Sequence, residues 1–300
     1  PAELAGDPEL RERDRVYALV HYDTPDGDHE GVYQALRDQL AEHDIELETD
    51  VRYELDFAQM QENARTIITR LQDAGVTTVV LYGDPLTMAA LTREATTQDY
   101  APEWLLGPNL FADTAVFARQ MDADQWRHGF GLSFTGTRGE TSTQDGRHLY
   151  EWAYGGTAPN DGVDVIDAQV RSLFNGIHLA GPELTPETFR DGLFRLPVRG
   201  GGPTVPQVSV GDHGVWPELD LGGADDIALL WWDPDATGED ETGNPGRGMY
   251  RYANGGERYT LGNLPESFEE AGLFDEESSV TVYDELPEED RPPEYPPPDL

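Results

Sequence analysis

Between residues 15 and 107, short apolar runs alternate with amphipathic stretches of helical length, and this alternation narrows the possible folds more than any other feature of the chain. Val16 to His21 (VYALVH) is apolar, and the turn-rich YDTPDGD follows it. Val32, Leu36 and Leu40 then recur at four-residue spacing, on one face of a helix. Ile45 to Tyr53 alternates as a strand does. Asp56 caps a second helix with Phe57, Met60, Ala64, Ile67, Ile68 and Leu71 inward, and Gly75 stands just past its end. Val76 to Tyr82 (VTTVVLY) is rich in β-branched residues, as a buried strand is. Asp84-Pro85 opens a third helix to about Thr97, and Trp104-Leu105-Leu106 is a short fourth strand before Gly107. Strands and helices in this order predict right-handed crossovers and an α/β, doubly wound parallel sheet covered on both faces.

The pattern changes after residue 109. Short helices are expected over 113–121, 124–126, 145–154 and 187–193. A longer helix over 163–179 carries Val165, Ile166, Val170, Leu173, Phe174 and Ile177, with no obvious sheet of its own to cover. Beyond Gly200 the chain reads as glycine, proline and short strands at 205–210, 228–232 and 249–252. The acidic, proline-rich 263–300, ending PEEDRPPEYPPPDL, is expected to be an extended tail that buries too little to order itself.

Charge excludes several partners. With 59 acidic residues against 20 basic ones, the formal net charge is −39, and every basic residue is arginine. Such a surface repels phosphate backbones and anionic headgroups, so neither nucleic acid nor a membrane surface is an expected partner. No apolar run approaches the roughly 20 residues of a membrane span. The chain opens PAELAGDPELRERDR, which is no signal peptide. Two readings of the acidity stand: a salt-adapted surface, or a field that attracts a cationic ligand. Arginine without lysine also fits GC-rich coding. The absence of cysteine removes disulfides, thiol chemistry and cysteine-ligated metals.

No catalytic motif stands out. The seven histidines have no metal-ligand spacing. GFGLSFTG at 129–136 misplaces the third glycine of a dinucleotide loop, and RGGGP at 199–203 serves as a flexible connection or as an anion cradle. One acidic loop is sharper. Asp233, Asp235, Thr237 and Glu239 offer oxygens at alternate positions with Gly238 at the sixth, as in a calcium loop, although Asn244 stands where the bidentate glutamate belongs. A solvated hairpin loop explains the same residues. DTPDGDHE at 23–30 invites the same comparison.

In doubly wound sheets, ligands sit outside the carboxyl ends of the strands. Three loops leave that edge here: His21-Tyr22-Asp23-Thr24, Tyr82-Gly83-Asp84 and Gly107-Pro108-Asn109. Tyr22 and Tyr82 would stack on a ligand, Asp84 would meet a cationic head and Asn109 a neutral group. Equally, the tyrosines plug the strand ends and Asp84 caps the helix that Pro85 begins.

The strand VYALVHYD, its turn and helix, and then LYGDPLTMAALTREATTQDYAPEWLLGP (strand, ligand loop, helix, strand) together resemble the second lobe of type I periplasmic-binding-fold proteins. These are the branched-chain amino acid receptors of ABC transporters, and the likeness is greatest to their actinobacterial members. FNGIHLAGPELTPETFRDGL and WWDPDATGEDETG…GMYRYANGGERY are similar to the closing helices and terminal hairpin of that family, so the resemblance covers roughly residues 5 to 262. It implies an inter-lobe linker at 1–14, the second lobe at 15–130, and helices and a hairpin at 131–262 that return to a first lobe absent from this chain. It implies an extracytoplasmic solute-binding protein, not an enzyme, that closes two lobes on a small, amino-acid-like molecule and hands it to an ABC permease. It points to the same three loops, with an aromatic covering the ligand and a carboxylate for an ammonium group. A partner chain supplying the first lobe, in a structural or interaction module of a cell-surface assembly, is the alternative.

Overall fold

A computed structural model describes residues 14–291 apart from Pro25, Asp28, 108–110, 140–144, 158–162 and Glu218. The alternating segments become β1 (Tyr17–Tyr22), α1 (Glu30–Glu42), β2 (Leu47–Tyr53), α2 (Met60–Asp73), β3 (Thr78–Tyr82), α3 (Pro85–Thr97) and β4 (Glu103–Leu106). Two short helices, α4 (Ala115–Ala118) and α5 (Ala123–Trp126), lead to β5 (Gly129–Ser133). The strands pair in the order β2-β1-β3-β4-β5, and every pairing among them is parallel. Ala18, Leu19, Val20, Val79, Val80, Leu81, Trp104 and Leu106 are all buried, as a sheet with both faces covered requires. Among the described residues, no helix is long and apolar enough to cross a membrane.

The sequence places these elements well, but it misassigns some faces. In α1 the buried residue is Tyr33, whereas Val32 is 50% exposed. The ring of Tyr33 is needed at the sheet edge, and one aromatic anchor outweighs an aliphatic stripe. Asp56 builds a turn onto the Ala58 N–H at 2.8 Å and α2 starts at Met60, which leaves Phe57 exposed rather than inward. GFGLS, unassigned in the sequence, is the strand β5. A side chain on Gly131 would put its Cβ 2.1 Å from the Leu106 carbonyl oxygen, so the close approach of β4 and β5 there requires glycine.

The chain divides into two units. The first holds residues up to Ser133 with 230–237 and 247–251, and the second holds 134–229, 238–246 and 252–300. β7 (Asp226–Glu239) and β8 (Pro245–Tyr252) extend the sheet beyond β5, and most of this hairpin belongs to the first unit. Within that unit the Trp126 indole donates to Tyr250 Oη at 3.0 Å, Tyr250 Oη donates to the Ala112 carbonyl at 2.8 Å, and Arg119 Nε reaches the Gly248 carbonyl.

The second unit contains β6 (Arg138–Gly139), α6 (Asp145–Tyr154), α7 (Val163–Ala180), α8 (Pro186–Leu193), β9 (Arg258–Thr260), α9 (Phe268–Ala271) and β10 (Val282–Tyr283). β9 pairs antiparallel with Asp226–Ala228, and the buried Arg258 guanidinium bonds the Asp226 carboxylate and the Phe134 and Thr135 carbonyls. The segment 205–210 forms isolated bridges, Arg199 to Val208 and Gly202 to Val205, rather than a strand. The expected tail at 263–300 is folded over its described part. Val280 pairs with Tyr252, β10 with β6, and Asp290 Oδ2 accepts from the Thr204 N–H (2.7 Å) and Oγ1 (2.8 Å). Backbone pairing supplies here what the polar composition cannot supply by burial.

Candidate ligand-binding edge

Adjacent parallel strands end together, so β2, β1 and β3 bring Tyr53, Tyr22 and Tyr82 to one edge of the sheet; Tyr22 is in register with Tyr53, and His21 with Tyr82. The chain leaves β1 toward β2 on one side and leaves β3 toward β4 on the other. Loops that diverge in this way open the crevice in which doubly wound folds take ligands. His29 and Tyr33 from the start of α1 complete an aromatic cluster. Tyr22 lies 6.0 Å from Tyr53 and 5.8 Å from His29, and Tyr33 meets Tyr82 edge-on at 5.4 Å. Tyr33 donates to the Tyr22 carbonyl and so ties α1 to the end of β1. Burial, reinforced by Tyr82 and Asp23, pushes the Tyr33 phenol up to about 12, so it remains a donor.

Both carboxylates of the edge are held by the protein. Asp84 Oδ1 accepts from the Leu86 and Thr87 amides at 3.0 and 2.8 Å, capping α3, while Oδ2 accepts from Tyr53 Oη at 2.9 Å. Tyr53 Oη in turn accepts from the Asp84 N–H, and burial together with Asp84 raises its phenol well above the ordinary value. Gly83 makes this possible: a Cβ there would fall 2.0 Å from Tyr53 Oη. Asp23 is fully buried. Burial alone would raise its pKa, but the His29 and Thr24 amides on Oδ1 and Arg52 Nε 3.5 Å from Oδ2 hold it below its usual value. Arg52 also binds the Thr24 carbonyl. Tyr22, Thr24 and Tyr82 remain half-buried on the rim, while Asn109 lies outside the described residues.

No protein-family model matches the chain, and neither does any curated protein. Solved structures do. A fatty acid ABC transporter substrate-binding protein from Thermomonospora curvata superposes with a TM-score of 0.53 over 93% of this chain and 63% of its own, at 12% identity. An ABC transporter substrate-binding protein from Aeropyrum pernix gives 0.52 over 88% of this chain and 64% of its own, at 14% identity. The leucine-, isoleucine-, valine-, threonine- and alanine-binding protein from Brucella ovis gives 0.52 over 86% and 61%, at 11% identity. The chain has the type I periplasmic-binding fold. It spans less than two thirds of the length of each of these neighbours. In a type I lobe of this strand order, the crevice between β1 and β3 is the edge where the three tyrosines stand.

The calcium-loop reading does not match the geometry. Asp233, Asp235, Thr237 and Glu239 are alternate residues of the extended strand β7, and a strand cannot curl its oxygens around one ion. Asp233 is bound by Arg251 Nε at 2.5 Å and Asp235 pairs with Arg247; the tight turn falls later, with Asp240 Oδ1 accepting from the Thr242 and Asn244 amides. Among the described residues, no three His, Asp or Glu side chains converge as metal ligands. Sequence reasoning missed His29, Tyr33, Arg52 and Tyr53. Tyr53 was visible as the aromatic end of a third neighbouring strand, but the others declare themselves only through contacts across the sheet. It also missed Ser133, whose Oγ donates to buried Asp113 Oδ2 at 2.5 Å where β5 ends.

Proposed function

We propose that this chain supplies one wall of a solute-binding cleft in an extracytoplasmic binding protein. That protein captures a small, amino-acid-like molecule between two lobes and passes it unaltered to an ABC permease. The observation that carries this reading is the row of tyrosines at the β1/β3 crevice, backed by a fold shared with ABC transporter substrate-binding proteins. Because Asp84 and Asp23 are engaged by protein donors, the contact with the solute falls to the rings of Tyr22 and Tyr82 and to the Thr24 loop. The neighbours are named for a fatty acid and for aliphatic and small polar amino acids, so candidate solutes begin with those classes.

A second reading, in which the scaffold is an interaction module whose partner completes it, draws on α7. Ile166, Val170, Leu173, Phe174 and Ile177 lie on one face and are 37–63% exposed. The two readings part in calorimetry on the protein purified from its native source, titrated with leucine, alanine and a medium-chain fatty acid. On the first, one solute binds and Tyr22→Ala and Tyr82→Ala each weaken it by about 1–3 kcal/mol. Affinity unchanged in both variants, with unchanged melting temperature, removes these loops from the site. No binding of any solute by a protein that is stable only with a second polypeptide favours the module.

A further inference from the structure

The glycine loop at 199–203 has no part in the solute-binding reading, and within the second unit a carboxylate sits in it. Asp290, 86 residues further along the chain, accepts at Oδ2 from the Thr204 N–H at 2.7 Å and from the Thr204 Oγ1 at 2.8 Å. A Cβ on Gly202 would fall 2.0 Å from Asp290 Oδ1, so only glycine leaves room for the carboxylate. The rest of the loop is shaped without Asp290. Gly200 and Gly201, at φ +78° and +98°, turn the backbone so that the Gly201 N–H donates to the Val205 carbonyl at 2.8 Å. On the neighbouring segments, a Cβ on Gly136 would come within 2.8 Å of the Thr204 carbonyl, and one on Gly256 within 3.4 Å of Pro203 Cβ.

The segment that delivers Asp290 is lightly fastened. No residue from 273 to 291 is buried, and eight of them are acidic against one arginine, on a chain of net charge −39. Backbone pairing of Val280 with Tyr252, the two-residue β6–β10 ladder, the Tyr283 hydroxyl on the Gly255 carbonyl and Asp290 itself tie it down. A segment with so little buried surface, laid down against charge repulsion, opens at low free-energy cost. Its last tie is chemically exchangeable, because any small carboxylate can accept from the same N–H and hydroxyl. We propose that Gly202–Thr204 is a carboxylate-binding seat, and that 280–290 is a strap, latched there by Asp290, which opens when another carboxylate takes the seat.

The probe is sodium formate, titrated into the intact chain with sodium chloride at equal ionic strength as the control. Two readouts are followed: the Thr204 amide signal in a nitrogen–proton correlation spectrum, and the hydrogen exchange of the Val280 amide. Asp290→Gly empties the seat. In that variant formate should shift the Thr204 signal saturably and chloride should not, and adding Gly202→Ala, which fills the seat, should abolish the shift. Val280 should exchange at least tenfold faster in Asp290→Gly than in the native chain, and formate should speed its exchange in the native chain. No saturable shift in Asp290→Gly, an equal response to chloride, or a shift that survives Gly202→Ala would remove the seat. Unchanged Val280 exchange in Asp290→Gly, or native exchange indifferent to formate, would remove the latch.

Discussion

His21 shows how one side chain ties the sheet to its surroundings. It is 1% exposed, its Nε2 lies 2.9 Å from Asp50 Oδ1, and Tyr33 packs on its ring at 4.1 Å. Asp50 is shared with Arg37, which reaches on to Glu30. Burial lowers the His21 pKa below its ordinary 6.5, and Asp50 only partly offsets this. The folded chain therefore takes up this proton less readily than the unfolded chain. The stability is fully present above pH 6.5 and is lost as pH falls from there toward the folded pKa, by at most about 1.4 kcal/mol per pH unit. Urea unfolding between pH 8 and 5 should show that fall, and His21→Gln should flatten it. An equal slope in both proteins would assign the effect to other histidines. The sequence shows His21 as the polar end of an apolar run; Asp50, 29 residues later, becomes its partner only when β1 and β2 pair.

At the element scale, periodicity finds the segments and packing decides which way they face. β1, β3 and β4 stand where their apolar runs lie and β2 where its alternation lies, because patterns of that length are read locally. The faces of α1 and the start of α2 depend on what the sheet edge needs, which no window of the sequence contains. β5 is the instructive miss. Two glycines weaken its strand signal, yet one of them is what lets β4 come close. Gly131→Ala should force the β4 backbone away and cost about 1–3 kcal/mol or more, read as a lower denaturant midpoint. Gly155→Ala, where an added Cβ meets nothing within 4 Å, is the control for substituting a glycine at positive φ. Equal losses would mean that the contact with Leu106 is unimportant.

For the whole molecule, charge is the dominant property. Net −39 on 300 residues opposes compaction, and salt relieves it by shortening the Debye length from about 10 Å at 0.1 M to about 3 Å at 1 M. The melting temperature should climb with sodium chloride up to molar concentrations; a flat or falling curve would leave coding bias as the account of the missing lysine. The sequence by itself determined the parallel α/β core, the loops at its carboxyl edge and the repulsion of anionic partners. Each of these follows from local periodicity, turn chemistry or summed charge, and none depends on distant contacts. Tertiary structure alone decided that Asp84 meets Tyr53 and Asp23 meets Arg52, that Asp233 and Asp235 lie along a strand against arginines, and that the acidic segment before residue 292 folds back onto β6. These outcomes depend on which donors arrive beside a carboxylate or an unpaired strand. In a chain with 59 acids and 20 arginines, only the fold selects those pairs.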